Sequence, residues 1–157
     1  MSTFASDTNL KEYEPDIHKY GIQDFSDLHS KTYDDLIRLL NIKWWPTSVH
    51  QKASVRSFGL SSTKLTNSRL NSAQFVRAAC YHVLANYIFP RLSTFDPEGS
   101  TFENKMNYYK NKFEEEFDLI LRDGVHYDAD SSGIYEESEK QSFYVGRLIR
   151  YCQQEKI

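Results

Sequence analysis

The sequence predicts a mainly α-helical protein: a small helical bundle built on a long antiparallel helix hairpin, with a long middle loop and an extended C-terminal arm. Three observations lead to this prediction. Apolar residues recur at three and four positions over residues 72–93 and again over residues 101–123, which is the period of amphipathic helices. The short turn TFDPEGS joins these segments, so the two helices are expected to run antiparallel. The length of 157 residues suits one compact domain with an arm at either end.

Residues 1–25 show no sustained period and mix Pro15 and Gly21 with scattered acids. We expect an N-terminal arm here, which is disordered alone or ordered by a partner. Residues 26–40 then follow a helical period, with Ser26 in position to cap the helix. The bundle domain is therefore expected to span residues 26–139.

A long middle loop is predicted over residues 46–70. Pro46 ends the preceding helix, because the residue before a proline is disfavoured in the helical region. The segment that follows is rich in Ser and Thr and has no clear period. A loop of this length in a small domain is usually functional or mobile.

The two long segments are the strongest helix predictions. Residues 72–93 are apolar on most sides, which predicts a packed core helix, and Pro90 is expected to stop it. Residues 101–123 carry one continuous apolar stripe, with Glu, Lys and Asn opposite. Gly124 suits the left-handed residue that ends a helix. The stripe consists of Phe102, Met106, Tyr109, Phe113, Phe117 and Ile120.

The segment YDADSSGIYEESE has the spacing of a calcium-binding loop. Gly133 takes the place of the sharp turn. The flanks fit less well, because no clear helix follows the loop and no second loop pairs with it. We favour a structural turn of the Asx type, with weak calcium binding as the secondary hypothesis. The candidate metal ligands are Asp128, Asp130, Ser132, the carbonyl of Ile134, and Glu139.

The charge distribution is uneven. The net charge is −3, yet the window from Leu36 to Phe95 contains no Asp or Glu and carries eight Lys and Arg. Such a window suggests a face that meets a negative partner, unless the acidic ends of the chain fold back over it. A nucleic-acid-binding module that uses segment 36–95 is therefore the alternative function, although the acidic net charge counts against it. The residues expected to face DNA are Lys52, Arg56, Lys64 and Arg69.

Several function classes find no support in the sequence. No apolar run approaches the length of a membrane span, so we expect no membrane partner. No phosphate-cradling glycine loop and no metal-spaced pair of histidines or cysteines occurs. The two cysteines, Cys80 and Cys152, indicate a reducing compartment rather than a disulfide framework. We therefore expect no enzyme, and no cofactor apart from the calcium of the secondary hypothesis.

The order of these parts resembles the head–tail connector proteins of tailed bacteriophages, which are the adaptor, neck or head-completion proteins below the portal. The resemblance covers residues 71–150. It is carried by FVRAACYHVLANYIFPRLS, FENKMNYYKNKFEEEFDLILRDGVHYD, DADSSGIYEESE and GRLIR. The matching residues are Arg77, Ala78, Tyr81 and Leu84 in the first helix, Tyr108, Tyr109, Phe113 and Glu116 in the second, and Asp128, Asp130, Gly133 and Glu139 in the turn.

The resemblance implies a structural virion protein without catalysis. It implies a homo-oligomeric ring, a dodecamer that matches the portal, in contact with the portal protein and with further neck or tail proteins. The protein would reside in the virion neck, after assembly in the host cytoplasm, and its middle loop could touch DNA in the channel. Residues 140–157 would form an extended docking arm. Its partner-binding residues would be Phe143, Tyr144, Val145, Leu148, Ile149, Arg150 and Tyr151.

Overall fold

The computed structural model describes residues 2–22, 24–51, 64–93 and 100–141. This part of the chain is mainly helical, which confirms the predicted fold class. It divides into two compact units. The first unit comprises Met1–Leu36 with Phe75–Asp118, and the second comprises Ile37–Gln74 with Leu119–Ile157.

The α-helices are α1 (Asp7–Tyr13), α2 (Ser26–Lys43), α3 (Val76–Val83), α4 (Phe89–Ser93) and α5 (Ser100–Asp123). Helices α2 to α5 lie close to the predicted helical segments, whereas α1 was not predicted. A 3₁₀ turn at Ser72–Phe75 leads into α3, and a π-helical segment at Leu84–Ile88 joins α3 to α4. The turn predicted between α4 and α5 lies outside the described residues, so the antiparallel hairpin stays a prediction. Among the described helices, none has the length and the apolar character needed to cross a membrane.

Pro90 does not stop the core helix, because α4 contains it. A proline lacks the N–H of a regular helical turn, and its ring clashes with the carbonyl four residues earlier. The π-helical segment Leu84–Ile88 comes immediately before this position. The wider π turn supplies the room that the ring needs, so the helical run continues to Ser93.

The structure differs from the arm expected over residues 1–25. Leu10 in α1 and Ile17 in the following 3₁₀ turn have no exposed surface, and both belong to the core of the first unit. The Phe4 ring lies 4.6 Å from the Tyr33 ring and 5.0 Å from the Phe75 ring. The apolar side chains of this largely polar segment are therefore packed in the core, although the segment shows no sustained period.

The core of the first unit also contains one side of α5. Tyr109 and Phe117 are buried, as the apolar stripe predicts. The Tyr109 ring stacks on Phe89 with centroids 5.7 Å apart and an interplanar angle of 10°. Its hydroxyl donates to Glu14 at 2.9 Å, so the N-terminal segment supplies the polar partner of a buried tyrosine.

The segment predicted as the middle loop belongs to the second unit. It begins with a 3₁₀ turn at Trp45–Thr47 and ends with another at Asn67–Arg69. Residues 52–63 lie outside the described part of the chain. Leu65 and Leu70 are buried, so the C-terminal end of this segment is packed against its unit.

Candidate functional site

A short extended stretch of the second unit leads from helix α5 into the acidic segment. Gly124 adopts a positive φ of 114°, which ends the helix. Val125 then pairs with Gln141, and Tyr127 pairs with Leu70, each as an isolated antiparallel bridge. The stretch is therefore held by two different segments before the acidic residues begin.

The acidic loop, residues 128–139, is built on hydrogen bonds from the main chain to its carboxylates. Asp128 is buried, with 7% of its surface exposed, and accepts the main-chain N–H of Ser132 at 3.0 Å and of Gly133 at 2.9 Å. Asp130 also accepts the N–H of Ser132, at 2.9 Å. This hydrogen bond from Ser132 holds the pKa of the Asp130 carboxyl below its ordinary value. Both carboxylates are thus oriented by the backbone of the turn.

Two residues of the loop adopt the left-handed conformation. The φ of Ser131 is 64° and the φ of Gly133 is 78°. A Cβ built on Gly133 would meet no heavy atom within 4 Å, so the backbone conformation, rather than lack of space, favours glycine there. Gly133 makes the sharp turn that the sequence spacing assigns to it.

Glu139 folds back onto the start of the loop. Its Oε1 accepts the main-chain N–H of Ala129 at 2.9 Å and of Asp130 at 3.4 Å. Its Oε2 is shielded from solvent and accepts no hydrogen bond from the described residues. One carboxylate oxygen from each of Asp128, Asp130 and Glu139 lies within 4.8 Å of the other two. The structure therefore brings together the three acidic residues of the predicted metal-ligand set.

The other two predicted ligands offer neutral oxygens. Ser132 Oγ donates to the carbonyl oxygen of Ile134 over 3.3 Å, so the two oxygens are neighbours in the same turn. The Ile134 side chain is 66% exposed. These oxygens lie at the fifth and seventh positions of the loop pattern, where a calcium loop uses a side chain and a main-chain carbonyl.

The end of the loop is fixed through an arrangement that we call the Gln141 anchor: Gln141 with Trp44, Val49 and Val125. Val125 N–H donates to the Gln141 carbonyl at 2.9 Å, and Gln141 N–H donates to the Val125 carbonyl at 3.2 Å. The indole N–H of Trp44 donates to the same Gln141 carbonyl at 3.1 Å. The Gln141 side-chain oxygen accepts the main-chain N–H of Val49 at 2.7 Å. Main chain and side chain of Gln141 are therefore both held.

Two contacts fix the residues just before the anchor. His50 Nε2 lies 3.0 Å from the carbonyl oxygen of Glu139. Lys140 Nζ lies 2.9 Å from a carboxylate oxygen of Asp123, at the end of α5. The last residues of the loop thus have partners both in the middle segment and at the helix from which the loop departs.

Arg69, one of the residues predicted to face a channel or DNA, belongs to the frame of the loop. Its Nη1 donates to the carbonyl oxygen of Ala129 at 3.0 Å. Lys64 is exposed. Lys52 and Arg56 lie outside the described residues, and so do the partner-binding residues predicted from Phe143 to Tyr151.

Sequence reasoning did not predict the partners of the aromatic side chains that support this frame. The Tyr127 ring lies 5.3 Å from Trp45, 5.2 Å from His50 and 6.0 Å from Trp44, measured between ring centroids. Trp44 and Trp45 are both buried. Large rings of this kind contribute much of the apolar surface that a small unit can bury. The adjacent tryptophans were the signal in the sequence, but their partners are distant along the chain.

Comparison with known proteins does not assign the chain to a family. No protein-family model, no curated protein and no solved structure matches the chain. The function is therefore inferred from the residues and contacts described above.

Proposed function

We propose that the chain is a structural subunit of the head–tail connector of a tailed bacteriophage, and that its C-terminal segment docks on a neighbouring protein. The observation that carries this proposal is the Gln141 anchor, which fixes the chain close to the start of the predicted docking arm. The resemblance over residues 71–150 and the mainly helical fold support the same function.

The anchor lowers the conformational-entropy cost of docking. A flexible segment that binds a partner loses conformational freedom, and this loss subtracts from its affinity. Gln141 is held by hydrogen bonds on its main-chain N–H, its main-chain carbonyl and its side-chain oxygen. Because its origin is fixed, the segment after Gln141 searches a smaller volume than a segment that begins on a free tail.

The sequence after the anchor suits addition of a strand to a partner. The run FYVGRLIRY, residues 143–151, combines aromatic and β-branched residues with two arginines. Docking as an added strand would satisfy main-chain hydrogen bonds, and alternate side chains would enter pockets of the partner. The partners are the portal protein, further neck or tail proteins, or the next subunit of the ring.

Exposed apolar side chains of the second unit also support an assembled role. Ile42 is 64% exposed and Leu119 is 55% exposed. Subunits of a ring bury such side chains against their neighbours. A dodecameric ring that matches the portal makes heterologous contacts, in which the acidic end of one subunit can meet the acid-free window of the next. The subunit would assemble in the host cytoplasm and remain in the virion neck.

The test uses the phage that carries this gene. A stop codon after Gln141 removes residues 142–157, and Glu155→Ala in the polar end of the same segment is the matched control. Negative-stain electron microscopy of the lysates counts joined particles, free heads and free tails. Immunogold labelling with antibody against the chain locates it in purified particles. We expect label at the head–tail junction of wild-type and control particles, and separate heads and tails with the truncated chain.

Two outcomes would overturn the proposal. The first is a normal number of joined particles with a truncated chain that is expressed and folded. This result would show that assembly does not require the docking segment. Particles that admit antibody to the neck but carry no label, and in which mass spectrometry detects no peptide of the chain, would exclude the connector function.

A further inference from the structure

We infer that two copies of the chain meet head to tail, with the basic face of one copy against the loop tip of the next. The contact deepens the connector proposal and rests on it for the closed ring, but the contact itself is measured on the chain in solution. Both surfaces belong to the second unit. The basic face consists of Arg38, Ile42 and Lys64, and the loop tip consists of Ile134, Glu136 and Glu137.

The basic face lies at the C-terminal end of α2, beside the end of the middle segment. Arg38 and Ile42 are one helical turn apart, and both are exposed. The side-chain oxygen of Asn41 accepts the main-chain N–H of Leu65 at 3.3 Å, which brings the exposed Lys64 close to the same turn. Two basic residues therefore lie near an isoleucine that exposes 64% of its surface.

The charges of the basic face are not neutralised by the described part of the chain. Neither Arg38 nor Lys64 forms an ion pair with a described residue. Both lie in the window from Leu36 to Phe95, which contains no Asp or Glu. An exposed apolar side chain between uncompensated cations favours a partner that offers an apolar group together with acidic ones.

The loop tip offers this combination on the outside of the acidic loop. Ile134 exposes 66% of its surface, and Glu136 and Glu137 follow it as exposed acids. Neither glutamate belongs to the three converging carboxylates of the loop. Among the described residues Glu136 forms no ion pair, and Glu137 has only a long one, 3.8 Å from Lys140. The tip is thus the counterpart of the basic face in charge and resembles it in apolar exposure.

Hydrogen bonds hold the loop on both sides of Ile134. Before it, the N–H of Gly133 donates to Asp128 at 2.9 Å. After it, the hydroxyl of Tyr135 donates to the main-chain carbonyl of Leu70 at 3.1 Å. A surface that is ordered before binding loses less conformational freedom when the partner docks, so the tip is suited to recognition.

The complementary surfaces select a second copy of the chain as the occupant. Charge complementarity fixes the register of such a contact, and burial of Ile42 and Ile134 supplies affinity. A nucleic acid would meet the same cations, but the net charge of −3 opposes it. Because the two surfaces differ, the contact is heterologous, so repeated copies either close into a ring or extend as a filament.

The experiment measures self-association of the full chain by sedimentation velocity. The concentrations run from about 10 µM to about 1 mM, because a contact of this size is expected to be weaker than micromolar. We expect the sedimentation coefficient to rise with concentration, and to rise less as NaCl increases, because salt screens charges at a partly exposed interface. A chain that stays monomeric at the highest concentration in low salt would overturn the inference.

Charge reversal tests both surfaces together. Arg38→Glu with Lys64→Glu reverses the basic face, and Glu136→Lys with Glu137→Lys reverses the loop tip. We expect each double variant alone to associate at least about tenfold more weakly than the wild type, because like charges then meet. An equal mixture of the two double variants should recover association, because each one retains the surface that the other needs.

Two further variants separate the contact from general effects of charge. Lys11→Glu with Lys110→Glu makes the same kind of charge reversal at two exposed lysines of the first unit and should leave association unchanged. Ile42→Ser keeps every charge and should weaken association several-fold through lost apolar burial. All these side chains are exposed, so melting temperatures from circular dichroism should stay close to that of the wild type.

Three results would contradict the contact. They are a mixture that does not recover association, a control that weakens association as much as the reversals do, and a monomeric chain whose basic face binds labelled single-stranded DNA in fluorescence anisotropy. The last result would assign the face to nucleic acid. None of them affects the connector function, which the truncation after Gln141 and the immunogold labelling test in phage particles.

Discussion

Trp44 donates its indole N–H to the main-chain carbonyl of Gln141 over 3.1 Å, across nearly a hundred residues of sequence. The donor is fully buried, and the acceptor carries the last described bridge of the second unit, to Val125. One side chain thus serves as a packing element and as the polar support of a residue near the start of the predicted arm.

We predict that Trp44→Phe lowers the free energy of unfolding by roughly 1–3 kcal/mol, because the variant loses a buried hydrogen bond and leaves unfilled volume. Urea unfolding followed by circular dichroism measures the change. Tyr135→Phe is the control, since it also removes a donor to a main-chain carbonyl, that of Leu70, but from a side chain that is 37% exposed. Water can replace that donor, so the free energy of unfolding of the control should fall by less than about 1 kcal/mol. Equal losses would show that burial of the Trp44 bond is unimportant.

We predict that the N-terminal segment is part of the cooperative fold. Leu10 has no exposed surface, so Leu10→Ala should lower the free energy of unfolding by about 2–5 kcal/mol through lost burial and a residual cavity. The neighbouring Lys11 is exposed, and Lys11→Ala should change stability by less than about 0.5 kcal/mol. Chemical denaturation of both variants provides the measurement. If Leu10→Ala is as stable as Lys11→Ala, the segment behaves as a detachable arm.

The acidic loop was the part of the site that the sequence could predict. Its three acidic residues lie within one loop, and each position has a fixed role in the pattern, so spacing alone predicted that Asp128, Asp130 and Glu139 come together. The contacts that hold the loop in place are long-range. Trp44 and His50 meet the end of the loop through main-chain carbonyls, which leave no signature in residue type.

The spacing of apolar residues predicted the fold class, but it did not predict that the chain divides into two compact units. The long amphipathic stripe predicted α5 almost to the residue, because its period of three and four is uninterrupted. The N-terminal segment has apolar residues too widely spaced for such a pattern, and only the folded chain reveals that Leu10 and Ile17 are buried. Likewise, a π-helical segment has no sequence period of its own, so the continuation past Pro90 could not be foreseen.

We predict that Cys80 is unreactive in the folded protein. Its side chain has no exposed surface, and burial raises the pKa of the thiol to about 12, so the reactive thiolate is scarce at neutral pH. In a Cys152→Ser variant, where Cys80 is the remaining thiol, Ellman's reagent should label it only as the chain unfolds. The same variant in denaturant provides the control, with complete and rapid labelling. Rapid labelling under native conditions would contradict the packing of α3.

The last prediction concerns His82 and acid stability. His82 is 7% exposed, and burial lowers the pKa of its imidazole, although Asp35, with a carboxylate oxygen 3.8 Å from Nε2, opposes this shift. The ordinary pKa of histidine is about 6.5. Below that pH the unfolded chain binds a proton that the folded chain resists, so the free energy of unfolding decreases as the pH falls from about 6.5 towards the lower folded pKa. Above about pH 6.5 the contribution of His82 to stability is complete.

His82→Asn removes this proton linkage. The variant keeps a polar group near Thr32, whose hydroxyl lies 3.4 Å from His82 Nδ1, and it loses ring contacts at every pH. Urea unfolding of both chains at about pH 8 and about pH 5.5 separates the two effects, because lost packing lowers stability equally at both values whereas the proton linkage acts only at the lower one. We expect the variant to lose less stability between the two pH values than the wild type. Parallel decreases would show that His82 does not contribute to the acid sensitivity of the first unit.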